Sequence, residues 1–116
     1  MQPFHLAIPI NNIEETQKFY TNILQCKVGR STDQWIDFDF FGHQLSAHVK
    51  PEETTITRAN MVDGESVPVR HFGVVLKWED WHILAEELRS NNSDFIIEPT
   101  IRFKGKIGEQ ATMFFS

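Results

Sequence analysis

The chain has 116 residues, 41% hydrophobic and 23% charged, and this composition predicts one folded domain rather than a disordered segment. The formal net charge of −5 argues against nucleic acid or an anionic membrane as a partner, because both require concentrated Lys and Arg. The single cysteine, Cys26, excludes an internal disulfide and fits a reducing compartment.

The two ends of the sequence lead to two expectations. The first residues lack the basic region and the apolar stretch of a signal peptide, and no segment has the roughly 20 apolar residues that span a bilayer. We therefore expect a soluble, cytoplasmic protein with no membrane partner. The last residues, "QATMFFS", are an apolar run without a turn residue, so we expect the natural chain to continue past Ser116.

The first half of the sequence predicts one strand, one helix and three further strands. "FHLAIPI" is the first strand, and the helix begins at Asn12, with Glu15 as its capping partner. The apolar residues of this helix fall on one face. The strands that follow are "KVGRS", "QWIDFDFF" and "HQLSAHV", the last two joined at a turn around Gly42 and His43. Residues 1–50 thus form a predicted βαβββ module.

The second half repeats this order when His71 is aligned with His5. A polar, turn-rich linker (about 51–68) leads to the strand "RHFGVVL" and to a helix that begins near Asp80 and ends at "SNNSD". The strands "DFIIEPTIRF" and "EQATMFF" follow, with "KGKIG" as the turn between them. The prediction is one α+β domain of two tandem βαβββ modules, the second (about 69–116) without its last strand.

Histidines stand at matching places in the two predicted modules. Strand alternation places His5 and Ala7 on one face of the first strand, and His71 and Gly73 on one face of its counterpart. The small neighbour leaves room beside each imidazole, and His48 follows the same alternation in its own strand. Two imidazoles and a carboxylate are the ligand set of non-haem Fe(II) oxygenases, although a hydrogen-bonded interior histidine is the competing interpretation.

Other polar residues receive no catalytic role at this point. His43 is predicted to be structural or exposed because it lies at a turn, and His82 lies on the polar side of the second helix. Asp37 and Asp39 alternate with large apolar residues and are predicted to face solvent, with a place in a site as the alternative.

The sequence resembles the vicinal-oxygen-chelate superfamily, which contains glyoxalase I, the bleomycin-resistance proteins and the extradiol dioxygenases. It is most similar to small bacterial proteins described as predicted dioxygenases of the extradiol family. The matching stretches cover nearly the whole chain: "PFHLAIPINNIEETQKFYTNILQCKVGRST", "WIDFDFFGHQLSAHV", "VPVRHFGVVLKWEDWHILAEEL" and "IEPTIRFKGKIGEQATMFF".

The resemblance implies a set of site residues. His5 and His71 correspond to the two histidine ligands of a divalent metal, and the third ligand, a glutamate, is expected beyond Ser116. His48 stands at the place of the acid–base histidine of extradiol enzymes. Arg102, Lys104 and Phe103 are assigned to substrate binding on their own chemistry: Arg102 and Lys104, with Lys106, form a cationic rim that could attract an acidic substrate, and Phe103 could line a pocket. A solvated hairpin is the alternative.

Three functions are compatible with this resemblance. The first is an extradiol-type dioxygenase in which a catecholic substrate chelates Fe(II) and O2 is the second substrate. The second is a glyoxalase-like isomerase or lyase that uses Zn(II), Ni(II) or Mn(II). Such members commonly use a glutamate or glutamine of the strand that carries Gln44 and His48, and the lack of an acid there favours the dioxygenase. The third is a metal-free binding protein. In each case a small molecule is the expected ligand and a homodimer the expected assembly.

Overall fold

The computed structural model describes residues 2–54, 58–62, 65–102 and 110–115, which form two compact units, Met1–Ile56 and Thr57–Ser116. The predicted α+β class is confirmed. Its elements in chain order are β1 (His5–Ile10), α1 (Ile13–Lys18), β2 (Lys27–Ser31), β3 (Trp35–Phe40), β4 (His43–Val49), β5 (Arg58–Val62), β6 (Glu65–Val69), α2 (Trp78–Ser90), β7 (Phe95–Arg102) and β8 (Gln110–Phe115).

The first unit is a four-stranded sheet with the strand order β1-β4-β3-β2. Its βαβββ order agrees with the prediction for this half of the chain. β1 runs parallel to β4, whereas β3 is antiparallel to both of its neighbours. Phe41 and Gly42 connect β3 to β4, both with positive φ (52° and 89°). A two-residue hairpin turn of this hand matches the twist of the strands, and glycine adopts it without steric cost.

The helical segment of the first unit packs on the apolar face of the sheet. The backbone N–H of Glu15 donates a 2.8 Å hydrogen bond to Oδ1 of Asn12, which confirms the predicted cap. α1 continues into a π-helical turn (Phe19–Ile23), from which the ring of Tyr20 stacks on Phe38 at 4.9 Å. The buried apolar side chains of this unit come from β1, β3, β4 and the segment after the π-helical turn: Ile10, Leu24, Cys26, Ile36, Phe38, Phe40, Leu45 and Ala47.

Two ionisable groups of this unit, Tyr20 and Cys26, lie close together and make the free energy of unfolding depend on pH in the alkaline range. Burial, together with a smaller contribution from Cys26, raises the pKa of the Tyr20 hydroxyl from 10.0 to about 12. Burial also raises the pKa of the Cys26 thiol from 9.0 to about 11, with a contribution from the Asp39 carboxylate. The folded chain therefore holds both protons more tightly than the unfolded chain does. This contribution to stability is complete below pH 9 and is lost as the pH rises towards 12.

We expect the free energy of unfolding of the wild type to fall between pH 9 and 12. In the variant Tyr20→Phe, the decrease between pH 10 and 12 should be smaller. The phenyl ring keeps the stacking on Phe38 and has no proton to release. Urea unfolding of both proteins at a series of pH values measures the difference. Parallel curves over the whole range would mean that Tyr20 does not titrate as described.

The second unit contains two hairpins and one long helix. β5 pairs with β6 and β7 pairs with β8, both in antiparallel register. α2 buries Ala85 and Leu88, which are three residues apart and so lie on one side of the helix. Among the helices of the described residues, none has the length and apolar character needed to cross a membrane.

The prediction that residues 51–68 form a linker without secondary structure is wrong. It contains a 3₁₀ turn (Pro51–Glu53) and the hairpin of β5 and β6. Only Asp63 and Gly64 separate these two strands in the sequence, and Asp-Gly is a pair that favours two-residue hairpin turns. Because the segment is polar, this Asp-Gly pair was not interpreted as a hairpin turn.

The predicted strand at the start of the second module is also wrong. Residues 71–77 have no regular secondary structure, and Phe72 and Val75 are 41% and 100% exposed. A strand exists only if a neighbour pairs with its backbone, and in the first unit β4 does this for β1. After α2 the described residues form only β7 and β8, which pair with each other. The alternating pattern alone therefore did not produce a strand.

Candidate functional site

The sheet of the first unit carries its polar side chains on the face opposite to α1. Cα partners in neighbouring strands point their side chains to the same side, so the registers of β1, β3 and β4 define this surface. We call it the polar face, and its residues are His5, Ala7, Pro9, Trp35, Asp37, Asp39, Gln44, Ser46 and His48.

His5 lies at the start of β1, directly beside Gln44 of β4. The His5 side chain is exposed. Hydrogen bonds of the preceding residue, Phe4, hold the backbone in place. The backbone N–H of Phe4 donates to Nδ1 of His43 at 3.0 Å, and the N–H of Gln44 donates to the carbonyl oxygen of Phe4 at 3.0 Å. His43 is thus structural, as predicted. These bonds hold the start of the chain against β4 and keep His5 in register with Gln44.

His48 lies on the polar face but not beside His5. Its Cα partner in β1 is Pro9, four residues beyond His5, which corresponds to about 13 Å along the strands. This separation is too large for both imidazoles to bind one ion, since each metal–nitrogen bond is about 2 Å long. The ring of Trp35 lies 6.5 Å from His48, and the Arg30 guanidinium carbon lies 6.0 Å from the Trp35 ring.

Asp37 occupies the middle of the polar face and is 7% exposed, so the prediction that it faces solvent is wrong. Ser46 Oγ donates to Oδ1 of Asp37 at 2.6 Å, and Gln44 Nε2 donates to Oδ2 at 3.4 Å. Strand alternation places Asp37 on this face, but its burial depends on packing that a sequence pattern does not reveal. Asp39 is exposed as predicted, and its Oδ1 accepts a 2.8 Å hydrogen bond from the Gly42 N–H.

The other predicted site residues belong to the second unit. His71 is exposed and lies in the segment without regular structure. Arg102 is the last residue of β7, and its side chain is outside the described part of the structure. Phe103 and Lys104 lie outside the described residues altogether. Their predicted roles in substrate binding, and that of His71 in metal binding, stay predictions.

The polar face supplies donors suited to a divalent metal, although not a complete set. Within the part of the chain that the structure describes, no three His, Cys, Asp or Glu side chains form a group able to hold an ion. An amide oxygen is also a metal ligand, and Gln44 stands beside the exposed imidazole of His5. One nitrogen and one oxygen donor, side by side at the edge of the sheet, fit part of a metal site.

Comparisons with known proteins agree with this fold. The family model of the glyoxalase/bleomycin resistance protein/dioxygenase superfamily matches residues 2–112. A crystal structure of a glyoxalase/bleomycin resistance protein/dioxygenase from Alicyclobacillus acidocaldarius is 30% identical, with a TM-score of 0.78, over 98% of this chain and 81% of that one. No curated protein matches the sequence.

More distant structures share the fold alone. The fosfomycin resistance protein FosX from Listeria monocytogenes is 14% identical, with a TM-score of 0.68, over 96% of this chain and 79% of that one. The lactoylglutathione lyase from Agrobacterium tumefaciens is 12% identical, with a TM-score of 0.52, over 81% and 72%. The chain therefore belongs to the glyoxalase/bleomycin resistance protein/dioxygenase superfamily, as its resemblance predicts. The names of these relatives cover several chemistries on one scaffold.

Proposed function

We propose that this protein is a divalent-metal-dependent enzyme whose substrate is a small molecule with two adjacent oxygen atoms. The observation that supports this proposal best is the adjacency of His5 and Gln44 on the polar face. His5 and His71 are the proposed imidazole ligands, and a glutamate beyond Ser116 is the proposed third. When bound, the ion would act as a Lewis acid and hold the two substrate oxygens in one orientation.

For the reaction, we propose extradiol-type cleavage of a catecholic ring with Fe(II) as the metal. His48 is then the acid–base residue, which takes a proton from a substrate hydroxyl and returns one when the ring opens. The roughly 13 Å between His48 and His5 along the sheet leaves space for one aromatic ring between them. Trp35 offers an aromatic surface next to His48. Arg102, Lys104 and Phe103 are proposed to attract and contact an acidic substrate.

A glyoxalase-like isomerase or lyase is the second candidate, and a specific observation favours it. The residue directly beside His5 is Gln44, an oxygen donor, rather than His48. Such an enzyme would use Zn(II), Ni(II) or Mn(II) and would need no oxygen. Its acid–base chemistry would not depend on His48, which lies four register positions away from His5.

Oxygen uptake and metal exchange separate the two candidates. The protein is loaded with Fe(II) or with Zn(II) and assayed against a panel of catechols, with and without air. A dioxygenase consumes O2 with Fe(II) alone, and His48→Ala lowers kcat by about 10²- to 10⁴-fold without changing metal content. His82→Ala is the control, because His82 is exposed on α2 and is assigned no chemistry. Aerobic activity that persists after full replacement of iron by zinc would exclude the dioxygenase.

The same protein preparations also test two further proposals, the homodimer and the metal-free binding role. We propose a homodimer by analogy with two-module proteins of this kind, so a monomer in sedimentation at micromolar concentration would contradict it. If His5→Ala and His71→Ala left both metal content and ligand affinity unchanged, a metal-free binding protein would be the better account.

A further inference from the structure

Asp37 is a carboxylate in a place where a carboxylate is costly. It is 7% exposed, and its neighbour Ser46 is 5% exposed. Burial of a charged group is unfavourable unless hydrogen bonds replace the lost water, and Asp37 receives one short and one long bond. The position across the sheet in β2 is Gly29, where an added Cβ would lie 3.4 Å from the Asp37 Cβ. Because Gly29 and Ser46 are small, the Asp37 carboxylate has room to stay beside the two groups that donate to it.

The two hydrogen bonds fix the orientation of the Gln44 amide. An ionised carboxylate only accepts hydrogen bonds, so Gln44 must turn its NH2 group towards Asp37, as the 3.4 Å contact from Nε2 shows. The oxygen and nitrogen of an amide lie on opposite sides of their shared carbon. Oε1 of Gln44 is therefore directed away from Asp37. Ser46 holds the other carboxylate oxygen at 2.6 Å and so keeps Asp37 itself from rotating.

We infer that Asp37 is a positioning residue that presents Oε1 of Gln44 as an oxygen ligand beside His5. This inference rests on the proposed metal-dependent function. His5 and Gln44 are Cα partners on one face, so a fixed amide oxygen and an exposed imidazole stand next to each other. Residues that orient a metal ligand in this way typically change metal affinity by about 10- to 100-fold when they are replaced.

A double-mutant cycle on Mn(II) affinity tests whether Asp37 acts through Gln44. The variants are Asp37→Asn, Gln44→Ala and their combination, and Mn(II) is titrated into each in a calorimeter. We expect Asp37→Asn to weaken Mn(II) binding by about 10- to 100-fold, and Gln44→Ala, which removes the ligand itself, to weaken it by more. In Asp37→Asn, the introduced amide would offer its own NH2 group to Oε1 of Gln44 and draw that oxygen away from the ion. The double variant should bind no more weakly than Gln44→Ala alone, because Asp37 has no amide left to orient.

The matched control is Asp33→Asn, which removes the same charge from an exposed position of the same unit. Asp33 precedes β3, whose first residue Trp35 pairs with His48, at the end of β4 remote from Gln44. Loss of this remote charge should change Mn(II) affinity by less than about threefold, because solvent and salt screen it. Equal effects of Asp37→Asn and Asp33→Asn would overturn the inference, and so would full additivity in the cycle. Wild-type protein that binds no Mn(II) would overturn the proposed metal-dependent function, and the inference with it.

A measurement on the unmodified protein covers the case in which Asp37→Asn fails to fold. In a side-chain amide NMR spectrum, one NH2 proton of Gln44 should exchange with water more slowly than those of the exposed Gln17. Slow exchange at Gln44 supports the hydrogen bond to Asp37. Exchange as fast as that of Gln17 would show that Asp37 does not hold the amide and would overturn the inference. The proposed metal-dependent function would then still be tested by the Mn(II) titration.

Discussion

Replacement of His5 by alanine is expected to weaken binding of a divalent metal by more than about 100-fold while the fold stays intact. Loss of a ligand should exceed the roughly 10- to 100-fold loss that follows removal of a residue supporting a ligand. The imidazole is exposed, so its removal should change the free energy of unfolding by only about 0.5 kcal/mol. Titration of Mn(II) into the wild type and the variant, with a thermal melt of each, measures both quantities.

His82→Ala is the matched control for this substitution. His82 is also exposed, and its ring lies 4.9 Å from those of Trp78 and Trp81 on α2. We expect Mn(II) affinity to be unchanged in this variant. If His5→Ala and His82→Ala bound Mn(II) equally well, His5 would not be a ligand and the proposed function would lose its main support.

Replacement of Phe38 by alanine is expected to cost about 3 to 5 kcal/mol of folding free energy. Phe38 is 1% exposed and is among the largest fully buried side chains. Its ring stacks on Tyr20 at 4.9 Å and thereby joins the helical segment to the sheet. The substitution leaves a cavity at this contact. Thermal unfolding should occur about 10 to 20 °C below that of the wild type.

Phe41→Ala is the control for Phe38→Ala, since the same side chain is removed from an exposed position. Phe41 is 39% exposed and lies in the turn between β3 and β4. Its loss should cost about 1 kcal/mol or less, as is usual for substitutions near the surface. Similar losses in the two variants would mean that the core of this unit does not depend on the contact between Phe38 and Tyr20.

Most of the first unit could be predicted because its signals are local. Alternation in β1, β3 and β4 separates apolar from polar positions, and a cap at Asn12 begins the helix. The burial of Phe38 and Leu45 at 1% exposure agrees with that alternation. The sequence also places His5 and His48 on one face, as the registers confirm.

The remaining features depend on strand pairing and packing, which a pattern does not specify. Residues 71–77 alternate as β1 does, yet β7 and β8 pair with each other and the segment forms no strand. Register decides that Gln44, and not His48, is the neighbour of His5. The burial of Asp37 follows from packing around it, so its two hydrogen bonds appear only in the structure.

Paramagnetic broadening by Mn(II) shows whether His5 and Gln44 are adjacent donors to one divalent ion. Small amounts of Mn(II) are added to isotope-labelled protein, and the side-chain signals of histidine and glutamine are followed by NMR. We expect the signals of the His5 ring and the Gln44 amide to broaden first, while those of His82 and Gln17 remain sharp. Broadening that spares His5 and Gln44 and begins at other side chains would contradict it.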